Sequence, residues 1–278
     1  MRNLAIVGRI LRATLRRKWV SLAAFAFGAG FFHAQVALSY PAIGGIETIQ
    51  SVVGAFPPGL RTLLRIAPNL QAAFGVLDYL AFSWFHPVFL GLGAAFVVSR
   101  ATDALAGEID RGSIYLLLSR PLPRWTLVAG KSVEMVLGAG CLALAGWAGQ
   151  VLGVALAGAE PLAGGQPLPL ERFLLIAPLA WGLLAALGAG ALVISSVTSR
   201  TALAGGLASA WTLAAFVLDV IPAVAESPLA WLNPWHYYFP QEVVATGQMD
   251  WVAFGALALW TFLATSVAAV LFGRRDLA

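Results

Sequence analysis

The sequence is poor in charged residues and has almost no cysteine. Charged residues make up 11% of the 278 residues, and Cys141 is the one cysteine. A single cysteine excludes an internal disulfide framework and a cysteine-based metal cluster. The three histidines, His33, His86 and His236, do not show metal-ligand spacing, and the chain contains no HExxH pattern. We therefore expect no metal site and no disulfide in this chain.

The motifs of a hydrolase and of a nucleotide-binding protein are also missing. An intramembrane hydrolase needs an activated serine or cysteine beside a base, and neither Ser209 nor Cys141 has such a partner in the sequence. Gly130-Lys131-Ser132 resembles the end of a phosphate-binding loop, but that loop needs a glycine where this chain has Trp125. We expect no catalytic residue and no bound cofactor in this chain.

Long apolar stretches are the dominant pattern of the sequence. Hydrophobic residues make up 60% of the chain, and its mean hydropathy is +0.83. Each stretch has about twenty residues or more, enough for a helix to cross a hydrocarbon core of about 30 Å. The stretches lie at about residues 19–38, 73–99, 126–157, 173–197, 201–221 and 251–272. We expect an all-α membrane protein with six transmembrane helices, which form a single domain over residues 1–278.

Basic residues fall almost entirely on one side of these spans. With the N-terminus inside, the segments 1–18, 100–131, 198–202 and 273–278 carry 14 of the 17 Lys and Arg residues. Cations beside spans stay on the cytoplasmic side of helical membrane proteins. We therefore expect a multi-pass protein of the bacterial or archaeal cytoplasmic (inner) membrane, with both termini in the cytoplasm. These cations suit anionic membrane lipids as partners, and we expect no binding of nucleic acid.

The segment before the first span has a periodicity of its own. Apolar residues recur there at spacings of three and four, and arginines lie largely on the other face. The apolar positions are Leu4, Val7, Leu11, Leu15 and Trp19, and the arginines are Arg9, Arg12 and Arg16. This pattern predicts an amphipathic helix over residues 1–18 that lies in the cytoplasmic interface before the chain turns into the bilayer. The alternative is a plain cytosolic extension of the first spanning helix.

The cytoplasmic connection between the second and third spans is longer than a passive connector. It runs from Arg100 to Trp125, whereas about two to eight residues are enough to join two helices. Residues 115–118 are apolar and lie between charged flanks, so they need a cover from the protein itself or from a partner. Pro121 and Pro123 then break the chain before the third span.

The same connection resembles the signature of ABC-2 type transporter permeases. The matching residues are Glu108, Arg111, Gly112 and Ser113, followed by Leu117-Leu118-Ser119-Arg120-Pro121, then Arg124 and Gly130-Lys131. The resemblance extends to the basic N-terminal helix, to the aromatic loop at 232–238 and to the C-terminal 272–277 segment. Ser113 stands where members of the family often carry threonine, and both residues keep a hydroxyl group. The resemblance therefore covers essentially the whole chain.

The resemblance implies a permease subunit of an ATP-binding cassette exporter. In this family the motif forms a short cytoplasmic coupling helix that docks on a separate cytosolic ATPase subunit, which holds ATP and magnesium. Carried over to this chain, Glu108, Arg111, Gly112 and Ser113 form the coupling contact, and Arg120 and Pro121 set its exit angle. We expect Glu108 and Arg111 at the rim of that contact. A second permease copy or a homologous permease completes the complex.

Polar residues inside the spans are candidates for a translocation pathway. His33 and Gln35 in the first span and His86 in the second are the residues we expect to line it. The alternative for each is a side chain that is hydrogen-bonded inside the helix bundle. Glu134 lies one turn from Lys131, and this spacing predicts an ion pair between them.

The substrate class follows from the scarcity of charge, and two other functions stay open. Apolar spans favour export of a hydrophobic or amphipathic compound. A proton-driven secondary transporter is the alternative from another class, because Asp219, His33 and His86 are able to carry protons. Within the same family, the alternative is a permease that serves the maturation of a periplasmic metalloenzyme.

Overall fold

The described part of the chain consists of helices joined by turns and short loops. The computed structural model describes residues 2–43, 48, 51–52, 54–57, 59, 75–119, 122–158 and 168–276, and no strand occurs among them. The α-helices are α1 (Arg2–Ser39), α2 (Val76–Phe85), α3 (Pro87–Ala104), α4 (Ala106–Asp110), α5 (Ser113–Leu118), α6 (Arg124–Ala157), α7 (Glu171–Val197), α8 (Thr201–Val220), α9 (Pro222–Ala225), α10 (Pro240–Thr246) and α11 (Trp251–Arg274).

Six segments of this described chain are long and apolar enough to cross a membrane. They correspond to α1, to α2 together with α3, and to α6, α7, α8 and α11. Their number and order agree with the six apolar stretches predicted from hydropathy, and each of the six is a candidate membrane span. The second span is interrupted at His86, which has an extended backbone, because the ring of Pro87 disfavours a helical conformation in the residue before it.

The centre of the bundle is α7. Within its most apolar window 78% of the residues are buried, against 17% for each of α1, α8 and α11. It packs against α3, α6, α8 and α11. A helix that is apolar on all sides suits this central position, whereas α1, α8 and α11 leave large apolar side chains exposed to lipid or to a partner.

Among the described helices, α1 and α6 make the most extensive contact, and they run parallel to each other. Ile10 of α1 contacts Gly130 of α6 near the start of both helices, and Gly30 contacts Gly149 further along. A Cβ atom on Gly149 would lie 1.9 Å from the carbonyl oxygen of Gly30, so the two backbones are in direct contact there. Small residues permit this close approach between spanning helices.

The N-terminal segment forms part of the same helix pair. The sequence predicts a separate interfacial helix over residues 1–18, but α1 continues without a break from Arg2 to Ser39. The chain has no proline or glycine near residue 18 that would end a helix there. The segment also follows α6, since Val7 and Ile10 pack on Gly130. The structure therefore corrects the predicted boundary and agrees with the alternative, an extension of the first span.

Aromatic residues close the end of the bundle opposite to the start of α1. The 3-10 turn at Pro234–Tyr237 packs on α7, α8 and α11, and the 3-10 turn at Pro228–Leu232 packs on that turn and on α9. The hydroxyl of Tyr238 donates to the carbonyl of Trp84 at 2.8 Å, and the Asn233 amide donates to the carbonyl of Ala215 at 2.7 Å. These bonds fix the last loop to the second and fifth spans.

Candidate functional site

The connection between α3 and α6 folds into two short helices joined by a tight turn. Helix α4 ends at Asp110, and α5 starts at Ser113. Gly112 between them has φ of +71°, a left-handed conformation that strains any residue with a Cβ atom. Glycine is therefore favoured at this position of the motif, because its left-handed conformation sets the angle between α4 and α5.

Glu108 of α4 is buried among three other helices. It is only 3% exposed, and its Oε1 accepts from Lys131 Nζ at 2.8 Å and from Arg17 Nη2 at 3.1 Å. The hydroxyl of Ser113 also donates to its carboxylate. The expectation of a carboxylate at the rim of a partner contact is therefore wrong for this side chain, which links α4 to α1, α5 and α6.

The same contacts determine the ionisation of Glu108. Burial alone would raise the pKa of this carboxyl group, but hydrogen bonds from Lys131, Ser113 and Arg17 and the charge of Lys131 outweigh it. The net effect lowers the pKa of Glu108 from 4.5 to about 2. Glu108 is therefore a carboxylate at physiological pH.

A second ion cluster joins the end of α3 to α1. The Asp103 carboxylate accepts from Lys18 of α1, and it also accepts from Arg111 Nη1 at 2.6 Å. The other guanidinium nitrogen of Arg111 lies 3.9 Å from Glu108, and about half of this side chain is exposed. The Arg111 guanidinium is therefore held by the carboxylates of Asp103 and Glu108, while the rest of the side chain is open to solvent or to a partner.

A third ion pair lies deeper, between α3 and α6. Arg100 Nη1 lies 3.5 Å from Glu134 Oε1, and both side chains are buried. The guanidinium of Arg100 also donates to the carbonyl of Lys18 at 3.1 Å. This arrangement corrects the predicted pair of Glu134 with Lys131, since Lys131 instead donates to Glu108 of the α3–α6 connection.

Helix α5 has an apolar surface that faces away from these ion pairs. Ile114 faces inward and is fully buried, whereas Tyr115 is 53% exposed and Leu116 is 77% exposed. Leu117 and Leu118 are half-buried. The protein itself therefore covers only part of the apolar cluster that the sequence shows. Arg120 and Pro121, which we expected to set the exit angle, lie outside the described residues.

His33, a predicted pathway residue, is packed inside the bundle. It is fully buried, and its Nδ1 lies 2.9 Å from the carbonyl oxygen of Ala29. Its ring centroid is 4.6 Å from that of Trp84 and 4.8 Å from that of Phe89. This is the environment of a residue held within the bundle, the alternative to a role in translocation.

The two other predicted pathway residues have different environments. Gln35 is exposed on α1, so it faces lipid or a partner chain. His86 is half-buried, and its Nδ1 accepts from the backbone N–H of Val88 at 3.2 Å. His86 therefore caps the start of α3 at the break in the second span. In the sequence, only the proline that follows His86 pointed to this structural role.

An apolar groove lies between α3 and α8. Its volume is about 440 Å³. The hydroxyl oxygen of Thr212 is buried there and has no hydrogen-bond partner among the described residues. Such a site accommodates an apolar molecule with one polar group. The lining includes Leu90, Val98, Thr212, Leu213, Phe216 and Trp235.

Comparison with protein-family models finds a match over nearly the whole chain. A model described as ABC-2 family transporter protein matches residues 11–277. The chain belongs to this family. It is the membrane component of an ABC-2 transporter, a multi-pass membrane protein of a kind that is typically non-catalytic. Among proteins of curated function, none matches the chain closely enough to count as a relative.

Several charged residues of the candidate site were not singled out from the sequence. They are Arg17, which pairs with Glu108, Lys18 and Asp103, which pair with each other, and Arg100, which pairs with Glu134. Each is a charged residue at or near the end of an apolar stretch, and this position was the available signal. Their pairing could not be assigned, because the partners are 85 and 91 residues apart in the two pairs that involve α1.

Proposed function

We propose that this chain is the permease subunit of an ATP-driven exporter. ATP is hydrolysed by a separate cytosolic ATPase subunit, and the energy drives export of a hydrophobic or amphipathic compound. The observation that carries the proposal is the α4–α5 segment. Buried ion pairs hold it to the bundle, and its Tyr115 and Leu116 side chains are exposed. Membership of the ABC-2 family supports a partner ATPase.

The residues of the coupling site have separate parts in this proposal. Glu108 and Ser113 hold α4 and α5 together, and the left-handed conformation of Gly112 sets the angle between them. Arg111 offers the exposed charged contact, while Tyr115 and Leu116 offer the apolar one. A rigid base suits force transfer, because a displacement of α5 reaches α1 through the bond of Glu108 with Arg17 and reaches α6 through its bond with Lys131.

Replacement of the exposed apolar residue tests the docking surface. Leu116→Asp should abolish co-purification of the ATPase, because a charge would replace an apolar contact at the centre of the interface. Leu229→Asp is the matched control, since Leu229 is similarly exposed but lies in the loop at the other end of the bundle. Equal co-purification of the ATPase with both variants would rule out α5 as its docking site.

The apolar groove supports the proposed substrate class. It lies beside α8, a loosely packed helix, and its lining is almost entirely apolar. We propose that it forms part of the translocation pathway in place of the buried His33. Mass spectrometry of the purified protein should find apolar compounds retained, and Ala94→Trp should remove them by filling the groove. Unchanged retention in that variant would place the substrate elsewhere.

A further inference from the structure

Helix α8 begins without a cap of its own. Arg200 occupies the position before its first residue and makes no side-chain hydrogen bond to the helix. The first N–H groups of a helix have no partner within the helix, and the positive end of its dipole disfavours a cation there. The first N–H groups of α8 therefore bond either to water or to an acceptor from another part of the protein.

That acceptor is Asp110, the last residue of α4. Its Oδ2 accepts from the backbone N–H of Thr201 at 3.0 Å and from the Thr201 hydroxyl at 2.9 Å. These two hydrogen bonds and the charges of Arg200 and Arg111 lower the pKa of Asp110, so its carboxylate stays charged at neutral pH. A carboxylate is among the preferred groups at a helix start. The first residue of α8 is thus bonded directly to the α4–α5 segment.

The two helices joined by this bond differ in how firmly they are packed, and α8 is the one that is displaced more easily. The start of α4 is fixed to the central helix, because Ser195 of α7 accepts from Ala106 N–H at 3.0 Å and donates to the carbonyl of Thr102 at 3.1 Å. Helix α8, by contrast, buries a single stripe of residues. A helix with few buried contacts is displaced more easily than a central one. A movement of the far end of α4 therefore acts on α8.

We propose that Asp110 is the positioning residue through which a displacement of the α4–α5 segment moves the start of α8. The inference rests on the proposed function, in which an ATPase subunit displaces that segment. Because Thr201 is bonded by both its N–H and its hydroxyl, the first turn of α8 follows Asp110. The groove between α3 and α8 then changes its width when the ATPase binds ATP.

Three variants separate this link from a simple cap. Asp110→Ala removes the acceptor, whereas Asp110→Asn keeps an oxygen that caps a helix well. The third variant combines Asp110→Ala with Arg200→Asp. In this variant α8 regains a capping carboxylate within its own chain segment, but it has no bond to α4.

The measurement uses the chain together with the ATPase subunit that co-purifies with it, in lipid nanodiscs. Pairs of spin labels at Leu203 and Leu144, and at Ser119 and Leu144, report on α8 and on the end of α5, in a Cys141→Ala background. All three labelled positions are exposed. Label-to-label distances are recorded with and without ATP in the presence of vanadate, and hydrogen exchange reports on the first turn of α8.

In the unchanged protein, ATP should shift both distances. Asp110→Ala should bind the ATPase and keep the ATP-dependent shift at Ser119, but it should lose the shift at Leu203. Asp110→Asn should retain both shifts. The double variant should recover protection from exchange at the start of α8 and still lack the shift at Leu203.

Three outcomes would overturn the proposal. An undiminished shift at Leu203 in Asp110→Ala would show that α8 moves without the link. Recovery of that shift in the double variant would reduce Asp110 to a cap. Loss of ATPase binding in Asp110→Ala would make it a docking residue. Failure of the proposed function looks different, since the unchanged protein would then bind no ATPase or show no response to ATP.

Discussion

Glu108 illustrates how one buried carboxylate organises several helices. Its contacts with Lys131 and Arg17 bring together α4, α6 and α1. Two charges removed from water are stable only if both are paired, so each partner depends on the other. The first expected effect of a change at Glu108 is therefore on the fold of the permease, and any effect on ATPase binding follows from it.

Removal of this carboxylate should destabilise the protein. Glu108→Ala leaves the buried Lys131 ammonium without its closest partner, which costs about 3 kcal/mol in the free energy of unfolding. Thermal melting in detergent measures the effect. The double variant Glu108→Leu with Lys131→Met should recover most of the loss, because two apolar side chains replace the ion pair. A double variant as unstable as the single one would contradict this account.

Stability should also depend on pH through Glu108. Because its pKa is lowered from 4.5 to about 2 on folding, ionisation of this group favours the folded state. The contribution is fully present above pH 4.5 and is lost as the pH falls towards 2. The melting temperature of the unchanged protein should therefore approach that of Glu108→Gln between pH 5 and pH 3. If the difference in melting temperature between the two proteins stayed constant over this range, ionisation of Glu108 would not be the cause of that difference.

At the scale of helices, the pair of α1 and α6 depends on direct backbone contact. Gly149→Val should lower the melting temperature strongly, because its Cβ atom would overlap the Gly30 carbonyl and force the helices apart. Overpacking of this kind costs about 1–3 kcal/mol or more. Gly206→Ala on α8 is the control, since the space around Gly206 is open. Equal melting temperatures for the two variants would show that the contact is not needed.

At the scale of the whole molecule, the distribution of charge predicts the orientation in the membrane. Single cysteines at Asn3, Ser119 and Gln248, in a Cys141→Ala background, lie at exposed positions on the two ends of the bundle. A membrane-impermeant thiol reagent added to intact cells should label Gln248→Cys alone. Labelling at Ser119→Cys would reverse the orientation and remove α5 from the reach of a cytosolic ATPase.

The sequence by itself determined the six spans and the location of the candidate site. Both depend on local properties, namely apolar length in the spans and the proline and glycine breaks of the α3–α6 connection. The positive φ of Gly112 gives a structural reason for the glycine in the motif. The prediction that a separate N-terminal helix ends near residue 18 was wrong. Amphipathic spacing shows which face of a helix is apolar, but it does not show where the helix ends.

Only the tertiary structure decided which charges meet. Glu108 turns inward to Lys131, 23 residues away, and Asp110 caps the start of α8 at Thr201, 91 residues away. Such pairs depend on the rotation of each helix about its axis and on its depth in the bundle. Packing of many side chains sets those two quantities, and hydropathy along the chain does not contain them. The partners of Glu108 and Asp110 are therefore properties of the fold, although the residues themselves stand in the sequence.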